Sequence, residues 1–320
     1  MKFAIIGAGM AGLSCATVLS NRGHIVAMFD KGRGPGGRMA SRSLSAPFGV
    51  VSFDMGAQYF TARDPDFSAE VKLWMASGDV ASWDITDEGA YIGVPTMNAP
   101  LKRIAQGLDV TWGVRIGAMR RSGNLWTLQA EAGNSGAYDA VVCALPAEQA
   151  HVFLEPHEPV FSALASQTHS APCWTLMAAF SAPLEMPDVI KSRGIIDFAS
   201  RNSAKPGRDG VEAWVIHATA DWSRMYLEGE AQSVEAALLQ ALAAETGHKL
   251  PTLLAASVHR WRYARSGKAK NDKSRAGHLW SVSLGIGVCG DWLLGPRVEN
   301  AWVSGSRLGV AMAENYRRVS

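Results

Sequence analysis

The chain has 320 residues, 48% hydrophobic and 19% charged; at roughly 150 residues per domain this points to two domains, and it excludes a disordered chain or a small domain stapled by disulfides or metal. Thirty-one Lys and Arg against 29 Asp and Glu leave a formal net charge of +2, without the basic excess of a dedicated nucleic-acid binder. Cys15, Cys143, Cys173 and Cys289 are scattered, with no CxxC pair, so neither a disulfide framework nor a zinc site is expected and the implied setting is reducing and cytoplasmic.

Residues 1–20 have the outline of a signal peptide, with Lys2, an apolar stretch and small residues near Cys15. They also read as a buried strand from Lys2 to Gly7 entering a helix at about Met10, with Gly7, Gly9 and Gly12 spaced as G-x-G-x-x-G. A second apolar run, His24 to Phe29, ends in Asp30, 18 positions beyond Gly12. A leader has no reason to supply that strand and acid, so the dinucleotide-fold reading is taken. No later run reaches the roughly 18 apolar residues that span a bilayer, and no membrane association is expected.

Lys31 to Arg42 packs four glycines and four cations into twelve residues. Residues 50–62 read as a short strand running into a turn. Phe67, Val71 and Trp74 predict a helix over Pro65 to Ala76, and another is expected from Ala99 to Leu108. Val110 to Val142 reads as strands with glycine turns, and Pro146 sits just inside a short helix. Further strands are expected at Cys173 to Phe180, Val211 to Thr219 and Leu253 to Tyr263. An amphipathic helix is expected from Ser233, as its cap, to Thr246, stopped by Gly247. The polar segments 200–210 and 266–277 are expected to be exposed loops. A strand from Leu284 to Cys289 meets Gly290-Asp291, and a last helix starts near Glu299 and runs towards Tyr316. No internal repeat is seen. The expected fold is α/β: a Rossmann-like domain from both chain ends (1–60, 100–155 and 277–320) and an inserted α+β substrate domain (61–99 and 156–276) with a mixed or antiparallel sheet.

The glycine loop has a chemical reason. Gly7 permits the tight turn, Gly9 lets the backbone approach a pyrophosphate, and Gly12 allows strand–helix contact beside a helix N-terminus. Asp30 can accept hydrogen bonds from ribose hydroxyls. This pattern does not separate NAD from FAD. Three further segments bear on that choice: Gly36-Gly37-Arg38 could set a guanidinium over a pyrophosphate, Gly290-Asp291 suits a ribityl hydroxyl, and the Val110–Met119 strand could pair with an adenine edge. Each alone also reads as turn glycines, a surface arginine or a capping aspartate. A dinucleotide clamped by both chain ends points to FAD, because NAD enzymes usually hold the nucleotide in one contiguous unit.

The segments GAGMAGL, DKGRGPGGRMASR, FDMGAQYFTA, GVPTMNAPLKRIA, HRWRYA and CGDWLLGPRVENAWVSGSRLG, spread from Gly7 to Gly309, resemble the flavin-containing amine oxidase superfamily. In finer detail they resemble the renalase family, which oxidises misreduced isomers of NAD(P)H. The resemblance implies noncovalent FAD, with Gly7, Gly9, the Ala11 amide, Gly12, Asp30, Lys31 and Arg38 at its adenosine diphosphate half. It implies Val114 at the adenine through its backbone, Asp54 and Met55 along the flavin, Asp291 on the ribityl chain, and Val298 at the pyrimidine edge. A helix N-terminus at Val298 would stabilise negative charge on the reduced ring.

On the substrate side, Gly56, Ala57, Gln58, Tyr59 and Phe60 follow the flavin-lining turn. Pro95, Thr96 and Met97 are expected to form an opposing edge, with Thr175 and Arg297 as further contacts. His259, Trp261 and Tyr263 share one strand face and read as core, as does His217. The implied reaction passes a hydride from a dihydronicotinamide dinucleotide, and then electrons to O2, giving NAD(P)+ and H2O2. It requires no acid–base residue, no metal and no obligate protein partner. Two other readings fit the same residues: a flavin amine oxidase or desaturase acting on another small molecule, and a flavin-binding module without turnover. The amine oxidase reading lacks its usual lysine, since 173–180 and 211–219 contain none.

Overall fold

The computed structural model describes residues 1–85, 89–131, 133–208, 210–269 and 276–317. The chain opens with β1 (Lys2–Ile6), α1 (Met10–Asn21) and β2 (Ile25–Asp30). A hairpin, β3 (Arg42–Ala46) and β4 (Gly49–Phe53), follows the glycine-rich segment. Then come α2 (Pro65–Ala76), β5 (Val80–Ser82), β6 (Tyr91–Gly93) and α3 (Ala99–Gln106). The start of α2 is set locally: Pro65 fills the first turn, and the Asp64 carboxylate accepts from the Asp66 and Phe67 amides at 3.0 and 3.2 Å, satisfying donors that a helix start leaves open. Phe67, Val71 and Trp74 are the residues it buries.

Next are β7 (Asp109–Trp112), β8 (Ile116–Ser122), β9 (Leu125–Ala130), β10 (Gly133–Tyr138) and β11 (Ala140–Cys143), then α4 (Ala147–Leu154) and α5 (Pro159–Ser166). The expected Val110–Met119 strand is broken between β7 and β8, which belong to different sheets. The middle of the chain supplies β12 (Ala171–Phe180), β13 (Val189–Arg193), β14 (Ile196–Arg201), β15 (Glu212–Ala218), α6 (Ala220–Met225), α7 (Ala231–Thr246) and β16 (Leu253–Arg265). The end adds β17 (His278–Ser281), β18 (Ile286–Cys289) and α8 (Val298–Arg317). Left-handed Gly247 ends α7 as expected, but the helix starts at Ala231 with Glu230 at its cap, so Ser233 lies inside its first turn.

A six-stranded sheet, ordered β17-β18-β11-β1-β2-β7, draws strands from both chain ends; all its pairings are parallel except β17–β18. Helix α8 lies on α1 at backbone contact. A Cβ on Gly305 would overlap the Ala11 carbonyl oxygen, and one on Gly309 would fall 2.8 Å from Val18 Cβ. The Ser14 hydroxyl donates to the Trp302 carbonyl at 2.9 Å across the same contact.

The second large sheet, β13-β14-β15-β12-β16, is antiparallel. Strand period 2 divides its side chains. Leu176, Ala178, Trp214 and Ile216 pack with Val234, Leu238 and Leu242 of α7, while Met177, Ala179, Ala213 and Val215 pack with Phe53 of the hairpin. Thr175 and His217 therefore share the hairpin-side face. The structure is α/β, with a Rossmann-like part and an antiparallel second sheet. Among the described residues no helix is long and apolar enough to cross a membrane.

Described residues of both polar segments, expected to be exposed loops, include buried side chains. Asn202, Lys205 and Arg208 are buried, because the segment 202–208 folds under the β4 turn and its cations meet a buried acid. In the other, Ser266 and Ala269 are buried, and 270–275 lie outside the described residues, as do 318–320.

Candidate functional site

At the nucleotide end, the glycines have different physical causes. Gly7 has φ +103°, and a Cβ there would stand 2.6 Å from the Ala144 carbonyl oxygen. A Cβ on Gly12 would overlap the Gly7 carbonyl oxygen. Both glycines are demanded by the protein itself. Gly9 has φ −80°, and a Cβ there meets nothing within 4 Å, so no protein atom demands glycine at that position. It caps α1, whose start receives no side-chain hydrogen bond. An open backbone approach at an undefended helix N-terminus is the chemistry of a phosphate cradle.

Asp30 joins the two glycine-rich loops, accepting from the Ala8 amide at 2.7 Å and the Gly32 amide at 2.6 Å. Lys31 beside it is exposed. The Val114 amide donates to the Asp30 carbonyl at 2.9 Å; it is spent inside the protein, and only the Val114 carbonyl is left for a base edge. Arg38 and Asp291, expected at separate parts of the cofactor, form a two-pronged ion pair of 2.8 and 2.6 Å. Asp291 also accepts from Ser266 Oγ at 2.8 Å. Of five guanidinium N–H donors two are engaged here, and the Arg38 side chain is 33% exposed. The open Gly9 position, the uncapped α1 and the spare Arg38 donors fit a dinucleotide pyrophosphate. Val298 is the first residue of α8. The preceding Arg297 donates to Thr61 Oγ1 at 2.6 Å and lies 3.4 Å from the Glu299 carboxylate.

The segment after β4 alternates. Met55, Ala57 and Tyr59 are half-buried, whereas Asp54, Gly56, Gln58 and Phe60 are buried. The expected substrate residues divide accordingly. Gly56 lies on the Arg38 backbone, where a Cβ would overlap the Arg38 carbonyl oxygen. Phe60 packs on Phe67 and Tyr91. Met97 is fully buried, its amide donating to Asp54 at 2.8 Å. Thr175 is also fully buried. Gln58 is turned inward and saturated: its amide nitrogen donates to the Asp54 carbonyl and, at 2.9 Å, to the Gly56 carbonyl, and its oxygen accepts from Ser200 Oγ and Lys205 Nζ, both at 2.9 Å. These five residues are corrected from substrate contacts to interior ones. Ala57 and Tyr59 keep an open side, with Tyr59 6.0 Å from the Phe198 ring. Pro95 is exposed, and Thr96 is half-buried with its hydroxyl on Asn98 at 2.8 Å.

Asp54 is the hub beneath this turn. Its carboxylate accepts from Ser41 Oγ at 3.0 Å, Lys205 Nζ at 3.1 Å and Arg208 Nη2 at 2.5 Å, besides the Met97 amide. Its carboxylate, expected along the flavin, is thus occupied by protein donors. Burial pushes the acid up, but Lys205 and Arg208 more than reverse that, so it is held below its ordinary range. Burial pulls the Lys205 ammonium down to about 8, with Asp54 opposing. Its charge also faces the Trp83 ring at 5.2 Å. Sequence reading missed Lys205 and Arg208 because a polar segment reads as solvated.

In front of the turn stands one row of the antiparallel sheet. Phe198, His217, Thr175 and His259 are register neighbours across β14, β15, β12 and β16. His217 Nε2 lies 3.4 Å and Trp261 Nε1 3.2 Å from the Met55 carbonyl oxygen, and His259 meets Trp261 edge to face at 4.4 Å. These residues face the turn, a correction to their reading as plain core. Burial lowers His217 to about 4, so the ring is neutral. Burial and then Arg42 lower His259. All four cysteines are unpaired; burial raises Cys143 and Cys173 to about 12, which suppresses the thiolates that covalent attachment of a flavin would need.

The profile of a family described as NAD(P)-binding Rossmann-like domain matches residues 5–72, and that of a family described as flavin containing amine oxidoreductase matches residues 72–307. The 4,4'-diapophytoene desaturase of Staphylococcus aureus is 41% identical over 116 residues, covering 34% of this chain and 22% of that enzyme. Among solved structures, an Exiguobacterium protein provisionally named a protoporphyrinogen oxidase superposes with TM-score 0.78 at 10% identity, over 98% of this chain and 99% of that one. Cyclohexylamine oxidase from Brevibacterium oxydans superposes with TM-score 0.72 at 13% identity, over 99% of both. At such identities the likeness is one of fold.

Proposed function

The chain belongs to the flavin containing amine oxidoreductase family, and on that premise we propose that it is a renalase-type, FAD-dependent oxidase of misreduced NAD(P)H isomers, with O2 as acceptor and NAD(P)+ and H2O2 as products. Gly9, the start of α1 and Arg38 would hold the pyrophosphate, and the Val298 helix start would hold the ring's pyrimidine edge. When bound, FAD supplies a two-electron acceptor. The chain's own task is to hold a donor carbon in line and keep water out. A dihydropyridine gives up its hydride without an acid or base, so positioning groups suffice.

The observation that carries this reading is the charge pattern of the front face. At the Met55 carbonyl stand two uncharged groups, neutral His217 and Trp261. Two partly exposed arginines each stand beside an acid, Arg265 (70% exposed) 3.6 Å from Asp197 and Arg297 (33% exposed) 3.4 Å from Glu299. The uncharged pair suits a neutral reduced pyridine. A long hydrocarbon would desolvate the polar groups of this face without offering them partners. Lys205, buried beside the turn, favours the amine oxidase reading as the second choice, but it is held by Asp54 and Gln58.

Anaerobic titration of the flavin-loaded protein separates the two. Bleaching of the visible band by borohydride-reduced NAD+, a mixture of isomers, with indifference to amines and to ordinary NADH, is the expected result. Bleaching by an amine alone would overturn it.

A further inference from the structure

The hydrogen bonds around Gln58 fix more than the turn. Its oxygen must face Lys205 Nζ and Ser200 Oγ, because both donate to it, so its nitrogen faces the other way. Both amide hydrogens are spent there, on the Asp54 and Gly56 carbonyls. His217 Nε2 lies 3.5 Å from that nitrogen and 3.4 Å from the Met55 carbonyl oxygen. A bare Nε2 would set its lone pair against the carbonyl; a protonated one donates to it. The uncharged ring carries one N–H, so the Met55 carbonyl claims it for Nε2 and leaves Nδ1 with a free lone pair.

No hydrogen bond from a described residue takes that lone pair. Among the described residues, the hydrogen-bond partners of the His217 side chain are the Met55 carbonyl and the Gln58 amide nitrogen, both at Nε2. The side chain is half-buried on the hairpin-side face. A neutral acceptor is thus presented in front of the flavin-lining turn.

The geometry points to His217 as a specificity residue: its Nδ1 accepts an N–H from the substrate, so the site takes a pyridine ring bearing a carboxamide and refuses the corresponding carboxylate. The inference rests on the dihydronicotinamide reading and adds which ring substituent is recognised. A carboxamide offers two N–H donors. A carboxylate offers none and sets its own lone pairs against Nδ1, leaving a polar group unpaired. The opposing term is attraction of a carboxylate to nearby cations. Arg265 is 70% exposed and screened by water, while the Lys205 ammonium is held behind the turn by Asp54 and Gln58. The local clash at Nδ1 decides.

The test is equilibrium binding to the FAD-loaded protein, followed by perturbation of the flavin spectrum, with nicotinamide and nicotinic acid mononucleotides as paired probes. Wild type is expected to prefer the amide by about tenfold, the worth of one hydrogen bond gained and one clash avoided. His217→Phe should abolish that preference with unchanged flavin content, and His217→Gln, whose carbonyl can replace the acceptor, should restore part of it. Equal binding of the two probes by wild type, or a preference that survives His217→Phe, overturns the inference. Bleaching by the isomer mixture is scored separately. Equal binding of the two probes by wild type beside normal bleaching sinks only the role of His217. An intact preference without bleaching sinks the dihydronicotinamide reading and leaves His217 recognising another carboxamide.

Discussion

The nucleotide end and the sheet end of the site are stabilised in different ways. At the nucleotide end glycine backbone meets backbone, Gly7 against Ala144 and Gly12 against Gly7, and the Asp30 carboxylate receives the Ala8 and Gly32 amides. At the sheet end the turn after β4 rests on side chains gathered from half-buried Ser41 and buried Lys205 and Arg208, converging on one carboxylate. A backbone-built cradle tolerates side-chain changes nearby and fails when a Cβ intrudes. A buried charge cluster fails when its charge balance is disturbed.

The largest effect should come from Asp54→Ala. Two buried cations would lose their shared carboxylate, and removing one partner of a buried pair costs about 3–5 kcal/mol. Loss of flavin together with a large fall in thermal midpoint is the expected outcome. Lys205→Met should be milder, about 1–3 kcal/mol, because Asp54 keeps Arg208 at 2.5 Å and the cluster passes from one excess positive charge to neutral. Denaturant unfolding of both variants checks the order. If Lys205→Met were the worse, charge balance would not be what holds this end together.

The cradle sharpens the contrast with two glycines three residues apart. Gly12→Ala drives a methyl into the Gly7 carbonyl and should cost about 1–3 kcal/mol, the range for overpacking. Gly9→Ala has φ −80° and nothing within 4 Å, so its stability should change by less than about 0.5 kcal/mol. Its FAD affinity should nevertheless fall, since the added methyl points into the approach to the helix start. Calorimetry of the two apoproteins and FAD titration of Gly9→Ala would expose an error in either half.

The same difference explains what the sequence disclosed. The Gly7–Asp30 unit and α2 were legible because their determinants are local: glycine spacing, Asp64-Pro65 at a helix start, and Phe67, Val71 and Trp74 at helical intervals. Lys205 and Arg208 were not, because their partner lies 151 and 154 residues away and a segment of Lys, Arg, Ser and Gly reads as solvated. Gln58 was misread for a related reason. It sits in a run whose odd members line the surface and whose even members are buried, and parity alone does not say which set faces in. For His259 and Trp261 the shared face was visible. What that face meets depends on the order β15-β12-β16 and on the hairpin packed over it, neither of which is a local property.

The smallest effect tests whether the row in front of the turn is as desolvated as the hub behind it. His217 stays neutral in the folded protein down to about pH 4, whereas an unfolded histidine takes up its proton near 6.5. Between those values the unfolded chain binds more protons than the folded one, so this group's contribution is present above 6.5 and is lost as the pH falls towards 4. His217→Phe removes the difference. The thermal midpoint of wild type should therefore fall more steeply than that of the variant between pH 6.5 and 4, with parallel profiles above 7. His259 and His278, also held low by burial, are common to both proteins and cancel in the comparison. Parallel profiles throughout would mean that the imidazole protonates in place, and the neutral acceptor on which the front face depends would be lost with it.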